Sequence, residues 1–308
     1  MKRIYFAFVP LVIILIGLGI YLAYQPDQPI QQSDKTLVVA SFYPLAFMTE
    51  SIGGDNVDVI CLIPYNSEAH SWQPSISDIG SLEEANIIIY NGAGLEPWML
   101  DILEAININD KIIVEASKNV TLIDSSGDPD ISPGQKDPHT WVSPFTAQKL
   151  AKAIFEALNE SDPVNGGVYF ENYNKLKLRL QNLDSQYINE LKVNTRSKIF
   201  VTHGAFGYLA TRYGFEQMSV IGLSADEQPS TSTLSALVEQ MVDANATTIF
   251  VDPVYSSNYA MTLKVELEHR LRRNFQVSHL YLMLGPVNDL DYFGQMEANL
   301  QNLKSALR

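Results

Sequence analysis

Short apolar runs rich in β-branched residues alternate with amphipathic helical patterns along the first half of the chain. Such alternation is typical of an α/β lobe with a parallel sheet, because strand and helix periods succeed one another. The predicted strands are Leu37–Ser41, Val57–Ile63, Ile87–Tyr90 and Ile112–Val114, and the predicted helices lie near Pro44–Ile52, Ile76–Glu84, Glu96–Ala105 and Pro144–Leu158.

The second half of the chain repeats this alternation. The predicted strands are Lys198–Thr202, Met218–Ile221, Thr248–Asp252 and Gln276–Tyr281, and helical patterns near Phe206–Tyr213, Ser232–Ala244 and Ser256–Arg273 fill the gaps. We therefore predict an α/β protein of two doubly wound lobes, each a four-stranded sheet flanked by helices.

One long helical pattern lies between the two sets of strands. Its apolar positions recur every three or four residues and are Tyr169, Tyr173, Leu176, Leu180, Leu183, Tyr187 and Leu191. The stripe covers about 25 residues, or roughly 37 Å of helix. It fits a core helix of one lobe, or a rigid strut along both lobes with the ligand site in the cleft between them. Its position between the lobes favours the strut.

The predicted domain organisation follows from this reading of the pattern. It comprises residues 1–35 as an N-terminal segment and linker, 36–165 as the first lobe, 166–194 as the linking helix and 195–308 as the second lobe. The linker is polar and contains two prolines, which suits a connection between a leading segment and a folded lobe.

The N-terminal segment is uncharged and apolar over residues 4–24, and it follows Lys2 and Arg3. A helix of this length spans about 31 Å, close to the thickness of the hydrocarbon core of a bilayer. The basic start predicts export of the rest of the chain. The segment is either a retained anchor to the outer face of the cytoplasmic membrane or a cleaved secretory signal. We favour the anchor, because no small-residue cleavage motif is evident and no cysteine follows directly for lipid attachment.

Composition excludes several classes of function. The chain has 21 basic and 35 acidic residues, a formal net charge of −14, and no basic cluster. Nucleic-acid binding is therefore not expected, because neutralising phosphates requires grouped Lys and Arg side chains. The single cysteine, Cys61, also excludes an internal disulfide and a thiolate metal cluster.

Three of the five histidines lie in turn-rich segments close to predicted strands. They are His70, His139 and His203. Ligands of open α/β sheets gather beyond the carboxyl ends of the strands, where these segments are expected to meet. Imidazole is the commonest metal ligand, and Glu68 and Asp137 are near enough in sequence to orient two of the rings. The pattern favours a metal site, although spacing alone also permits three unrelated surface histidines.

At these residues the chain resembles the metal-binding solute-binding proteins of zinc and manganese ABC importers, the TroA-like group. The resemblance extends from Leu37 to Asn302. The motifs that carry it are Ser41-Phe-Tyr-Pro44, Ile52-Gly-Gly, Ala69-His70 with Pro74, Tyr90-Asn-Gly-Ala-Gly-Leu-Glu-Pro-Trp98, Asp137-Pro-His139-Thr-Trp141 and His203-Gly-Ala-Phe-Gly-Tyr208. It implies two α/β lobes joined by one long helix, with a metal held between them at the positions of His70, His139 and His203.

The function implied by this resemblance is capture of a divalent transition metal outside the cytoplasm and delivery to an ABC-type permease, by a monomer. Zinc is expected first, with manganese or iron as the alternative, because three nitrogens suit zinc without excluding the others. A zinc hydrolase or a surface adhesion protein would also fit parts of the pattern. We expect no enzyme, because no general base is evident in the histidine motifs.

The fourth ligand is left unassigned. In the resembling group it is commonly a carboxylate near the last strand, but the corresponding stretch here, Leu280–Pro286, contains no acid. The open alternatives are water or one of the carboxylates of Glu68, Asp226, Glu227, Asp252, Asp289 and Asp291.

Overall fold

Two parallel β-sheets, one in each half of the chain, form the framework of the described structure. The structure is a computed structural model and describes residues 35–125, 134–192, 195–221 and 230–308. Within these ranges, residues from Thr36 onward form one compact unit.

The first sheet has the strand order β2-β1-β3-β4, and all of its pairs are parallel. Its strands are β1 (Thr36–Ala40), β2 (Val57–Cys61), β3 (Ile87–Tyr90) and β4 (Ile112–Glu115), and its helices are α1 (Tyr43–Gly53), α2 (Ile76–Glu84), α3 (Met99–Ala105) and α4 (Pro144–Ser161). Every residue of β3 is buried, as expected for a central parallel strand covered on both faces.

The linking helix α5 (Gly166–Leu191) follows directly. It packs against α1 and α4 of the first lobe, and all seven residues of its predicted apolar stripe are buried. Its C-terminal half holds Asp184, which pairs with the Arg212 guanidinium at 2.8 Å. That guanidinium also lies 4.0 Å from the centre of the Phe145 ring, so one side chain joins the linking helix to both lobes.

The second sheet repeats the order of the first as β6-β5-β7-β8, again with parallel pairs. Its strands are β5 (Lys198–His203), β6 (Glu216–Ile221), β7 (Thr248–Val251) and β8 (Gln276–His279), and its helices are α6 (Gly207–Tyr213), α7 (Thr231–Asp243), α8 (Asn258–Leu271) and α9 (Tyr292–Leu307). The predicted fold of two four-stranded lobes joined by one long helix is confirmed. Because α5 also contacts α6 and α9, the strut interpretation describes it correctly.

Two details of the helix prediction are wrong. Helix α3 begins at Met99, three residues later than expected, because the Glu96 side chain turns back to accept the backbone N–H groups of Asn91 and Gly92. Helix α9 was not predicted, although its buried face includes Tyr292, Met296 and Leu300 and packs on α5.

The apolar N-terminal segment 4–24 lies outside the described residues, so the predicted anchor is not part of this structure. Within the described ranges, no helix combines the length and the apolar character needed to cross a bilayer.

Residues 137–142 of the first lobe make several buried hydrogen bonds with the second lobe. The Trp141 indole N–H donates to the backbone oxygen of Leu282 at 2.7 Å, and the Tyr292 hydroxyl donates to the backbone oxygen of Trp141 at 2.6 Å. The Tyr208 hydroxyl donates to the backbone oxygen of Asp137 at 2.7 Å. These bonds are buried, so the segment is clamped between the lobes and its orientation is fixed with respect to both.

Glycine 207 makes the close approach of the second lobe to this segment possible. A Cβ atom at Gly207 would lie 2.5 Å from Oδ2 of Asp137, well inside van der Waals contact. Any side chain there would displace either the Asp137 carboxylate that contacts His139 or helix α6 itself.

Candidate metal centre

The three predicted histidines meet at the interface of the lobes. His70 follows β2, His139 precedes the short 3₁₀ helix Thr140–Val142, and His203 is the last residue of β5. One ring nitrogen of each lies within 4.8 Å of the others. Two of the ligand groups come from the first lobe and one from the second, so a bound ion would touch both.

The spacing of the ring nitrogens suits a small tetrahedral ion. Nε2 of His70 and Nε2 of His139 are 3.2 Å apart. Two nitrogens bound tetrahedrally at about 2.0–2.1 Å from zinc would be about 3.3 Å apart. Two imidazoles cannot both present an N–H at this separation, so at least one nitrogen has its lone pair directed into the site.

Asp137 fixes the orientation of His139. Its Oδ1 lies 2.8 Å from the ring Nδ1 and also accepts the His139 backbone N–H at 2.9 Å. A carboxylate that accepts from Nδ1–H leaves Nε2 unprotonated and raises its basicity, which is the arrangement found behind metal-ligating histidines. Both side chains are almost fully buried. The predicted orienting role of Asp137 therefore agrees with its contacts.

His70 is held in its neutral form. Burial, followed by the nearby rings of His139 and His203, keeps the pKa of His70 well below its usual 6.5. A ligating imidazole must be unprotonated, so this environment reduces competition by protons at neutral pH. Glu68 supports the turn, because its Oε1 accepts the His70 backbone N–H at 2.9 Å.

The pocket around the rings is small and largely apolar. Its cavity volume is about 10 Å³, and its walls are Glu68, Ala69, His70, His139, Trp141, His203, Tyr255, Leu282 and Leu284. Organic ligands usually occupy pockets of ~300–1,000 Å³, so an ion suits this one better than a substrate molecule. Sequence reasoning missed three wall residues, Tyr255, Leu282 and Leu284, because apolar and aromatic positions carry no signal for a site they only enclose.

Among the residues that the structure describes, Glu68 is the one carboxylate in this wall. Among the described residues its Oε2 has no hydrogen-bond partner, although that atom is buried. A buried carboxylate oxygen without a partner costs free energy unless a cation or donor reaches it.

The other acids considered as the fourth ligand have different surroundings. Asp252 uses both oxygens to accept backbone N–H groups, those of Val254 at 2.7 Å and Leu282 at 2.5 Å. Burial raises the pKa of Asp252 to about 6, with both bonds opposing the shift. Asp291 caps helix α9 by accepting from Gly294, and Asp289 is exposed. Asp226 and Glu227 lie outside the described residues.

Together the fold and this cluster define a class, a two-lobe α/β binding protein with an ion-sized histidine pocket between its lobes. Residues 38–306 match the family described as ZnuA, zinc-uptake complex component A, periplasmic. The chain belongs to this family. The predicted resemblance to metal-binding solute-binding proteins is thereby confirmed, as is the expectation that the chain belongs among transporter components and not among enzymes.

Individual relatives agree with the family. The chain is 34% identical over 244 residues to the high-affinity zinc uptake system protein ZnuA of Bacillus subtilis (strain 168), covering 77% of this chain and 76% of that protein. The metal-dependent lipoprotein YcdH from Bacillus subtilis has a solved structure with a TM-score of 0.76 and 32% identity, covering 89% of this chain and 99% of its own.

A third similar protein is described as having two activities. The laminin-binding protein Lmb of Streptococcus agalactiae, described as bifunctional with adhesin and metal transporting activity, matches with a TM-score of 0.79 and 27% identity. The match covers 89% of this chain and all of that one.

The low pKa of His70 predicts a loss of stability in acid for the metal-free protein. The unfolded chain binds a proton near pH 6.5 whereas the folded His70 does not, so the free energy of unfolding should decrease as pH falls below about 6.5. Denaturant titrations at pH 7.5 and 5.5 should show a smaller decrease for His70→Gln than for the unmodified protein. His269→Gln, which alters an exposed histidine, should leave the decrease unchanged, and equal behaviour of all three proteins would contradict the assignment.

Proposed function

We propose that this protein captures zinc outside the cytoplasm and delivers it to an ABC-type permease in the membrane. The observation that carries the proposal is the cluster of three imidazoles, preassembled in a buried pocket too small for an organic ligand. Membership in a family of zinc-uptake components gives the cluster its transport context.

We propose His70, His139 and His203 as the protein ligands of the cargo ion. Their ring nitrogens converge, one ring is backed by Asp137 and another is kept neutral by burial. All three bind through nitrogen, and nitrogen donors favour zinc over manganese, which prefers oxygen. Zinc is therefore the proposed cargo, with manganese or iron as competitors for the same site.

The fourth ligand is proposed to be Glu68. The wall that would hold an acid after the last strand consists of Leu282 and Leu284. The Glu68 side chain, in contrast, has a buried Oε2 that finds no hydrogen-bond partner in the part of the chain that the structure describes. A side-chain rotation that brings this oxygen toward the histidines would complete a four-coordinate site and reduce its net charge from +2 to +1. That rotation would also satisfy the buried oxygen.

The N-terminal segment is proposed to be a retained helical anchor. Residues 4–24 are apolar and the chain has no cysteine near them that could carry a lipid. The folded part is proposed to be a monomer, with lobes at 36–165 and 195–308 joined by a helix at 166–194. Anchoring would hold this folded part close to its permease and so raise the rate of delivery. The alternative is that the segment is cleaved. N-terminal sequencing of the mature protein distinguishes a retained anchor from a cleaved signal.

Adhesion is a second candidate function, favoured by the likeness to Lmb alone. It would use the outer surface of the protein and not the histidine pocket. Binding of the purified protein to immobilised laminin, measured with and without zinc, tests it separately.

Alanine substitution of each histidine tests the proposed site. His70→Ala, His139→Ala and His203→Ala should each weaken zinc binding by more than the ~10–100-fold that loss of an outer-shell partner costs. Competitive titration against a chromophoric chelator measures this, and the unmodified protein should bind one zinc per chain. The exposed histidines provide controls, because His269→Ala and His279→Ala should bind as the unmodified protein does. A histidine whose loss leaves the affinity unchanged is not a ligand.

Glutamine at position 68 tests the fourth ligand. Glu68→Gln keeps an oxygen to accept the His70 backbone N–H but removes the charge and the free carboxylate oxygen. Zinc affinity should fall by about tenfold, or ~1.4 kcal/mol, because a neutral amide is a poorer ligand for the cation. Glu84→Gln removes the same charge from an exposed helical position and should have no effect. Equal zinc affinity of the two variants would mean that Glu68 is not the fourth ligand.

A further inference from the structure

Asn91 is fully buried at the end of β3 and lies next to the backbone on both sides of His139. Its amide NH₂ donates to the backbone oxygen of Pro138 at 2.8 Å, and its Oδ1 accepts from the Thr140 hydroxyl at 2.8 Å. The two bonds reach the residues immediately before and after His139. Since Pro138 and Thr140 flank the ring that Asp137 orients, this one side chain holds the backbone on both sides of His139 from within the first lobe.

Asn91 is itself held by a buried carboxylate. Glu96 accepts the Asn91 backbone N–H at 2.8 Å, the Gly92 N–H at 3.0 Å and the Ser41 hydroxyl at 2.6 Å. Burial raises the pKa of Glu96 to about 7, and these hydrogen bonds oppose the shift. The three donors converge on one buried carboxyl group, so breaking any of them leaves a buried polar atom without its partner. The network connects β1 and β3, the rigid centre of the first sheet, to the His139 segment.

We propose that Asn91 is a positioning residue for metal capture, and that the Asn91–Glu96 network sets the geometry of the site by fixing His139 from the first lobe. The inference rests on the proposed function, since it concerns His139 as a ligand. Asn91 is not one of the residues that line the histidine pocket. It acts through the backbone of Pro138 and Thr140, in the same way that partners behind metal ligands govern affinity.

The test replaces Asn91 with aspartate. Asn91→Asp keeps an oxygen for Thr140 but places oxygen instead of NH₂ against the Pro138 and Gly92 backbone oxygens. We expect zinc affinity to fall about 10–100-fold. We also expect the visible absorption of the cobalt(II)-substituted protein to change, because these bands report the coordination geometry.

Asn299→Asp is the matched control. Asn299 is equally buried and its amide binds both backbone groups of one residue, Tyr281, in the second lobe. Both variants should lower the thermal midpoint, but only Asn91→Asp should alter zinc affinity and the cobalt spectrum. Equal effects of the two variants on affinity, or an unchanged affinity and spectrum for Asn91→Asp, would overturn the proposal.

A second pair of variants, both at Thr140, tests the same inference if Asn91→Asp does not fold. Thr140→Val removes the hydroxyl that Asn91 accepts from while preserving the shape of the side chain, and Thr140→Ser retains the hydroxyl. Thr140→Val should weaken zinc binding and Thr140→Ser should restore it, whereas equal affinities would overturn the inference. An unmodified protein that bound no zinc at all would refute the proposed function itself, and the variants would not be needed to see it.

Discussion

The structure depends most on the clamping of residues 137–142 between the two lobes. This short segment lies in the first lobe, yet two of its backbone oxygens accept tyrosine hydroxyls from the second lobe and its tryptophan donates to the Leu282 backbone. Burial makes these bonds costly to break, since a buried polar group left without its partner keeps the full free-energy cost of its desolvation. His139 is therefore fixed with respect to both lobes, and His203 and His70 are arranged around it.

The chemistry of the pocket follows from that constraint. Three imidazoles held within 4.8 Å of one another would repel if they were protonated, and burial favours the neutral form that binds metal. The histidine side chains are already ordered in the folded protein, so metal binding loses little further conformational entropy. Helix α5 also holds the lobes together, because it packs against both. The Arg212 guanidinium does the same, since it pairs with Asp184 on α5 and lies over the Phe145 ring of the first lobe.

Much of this arrangement could be predicted from the sequence, and the remainder has a physical explanation. The strands, the stripe of α5 and the three histidines are encoded by local periodicity and by short motifs. The Trp141–Leu282 bond joins residues 141 positions apart, and no local pattern reports such a contact. The Glu68 oxygen that lacks a partner among the described residues depends on which way its side chain turns. The late start of α3 depends on the Glu96 carboxyl group, which binds backbone N–H groups instead of extending the helix. Hydrophobic periodicity therefore predicts the strands and helices well, but it does not predict the contacts between the two lobes.

Small-angle X-ray scattering of the zinc-free and zinc-loaded protein tests the central claim most directly. If the clamp and the strut hold the lobes in place, zinc enters a site that already exists, and loading requires only small tilts and side-chain rotations. The radius of gyration should then be the same in both states within experimental error. A decrease of several ångströms on zinc binding would mean that the lobes close around the ion, and would contradict a preassembled site.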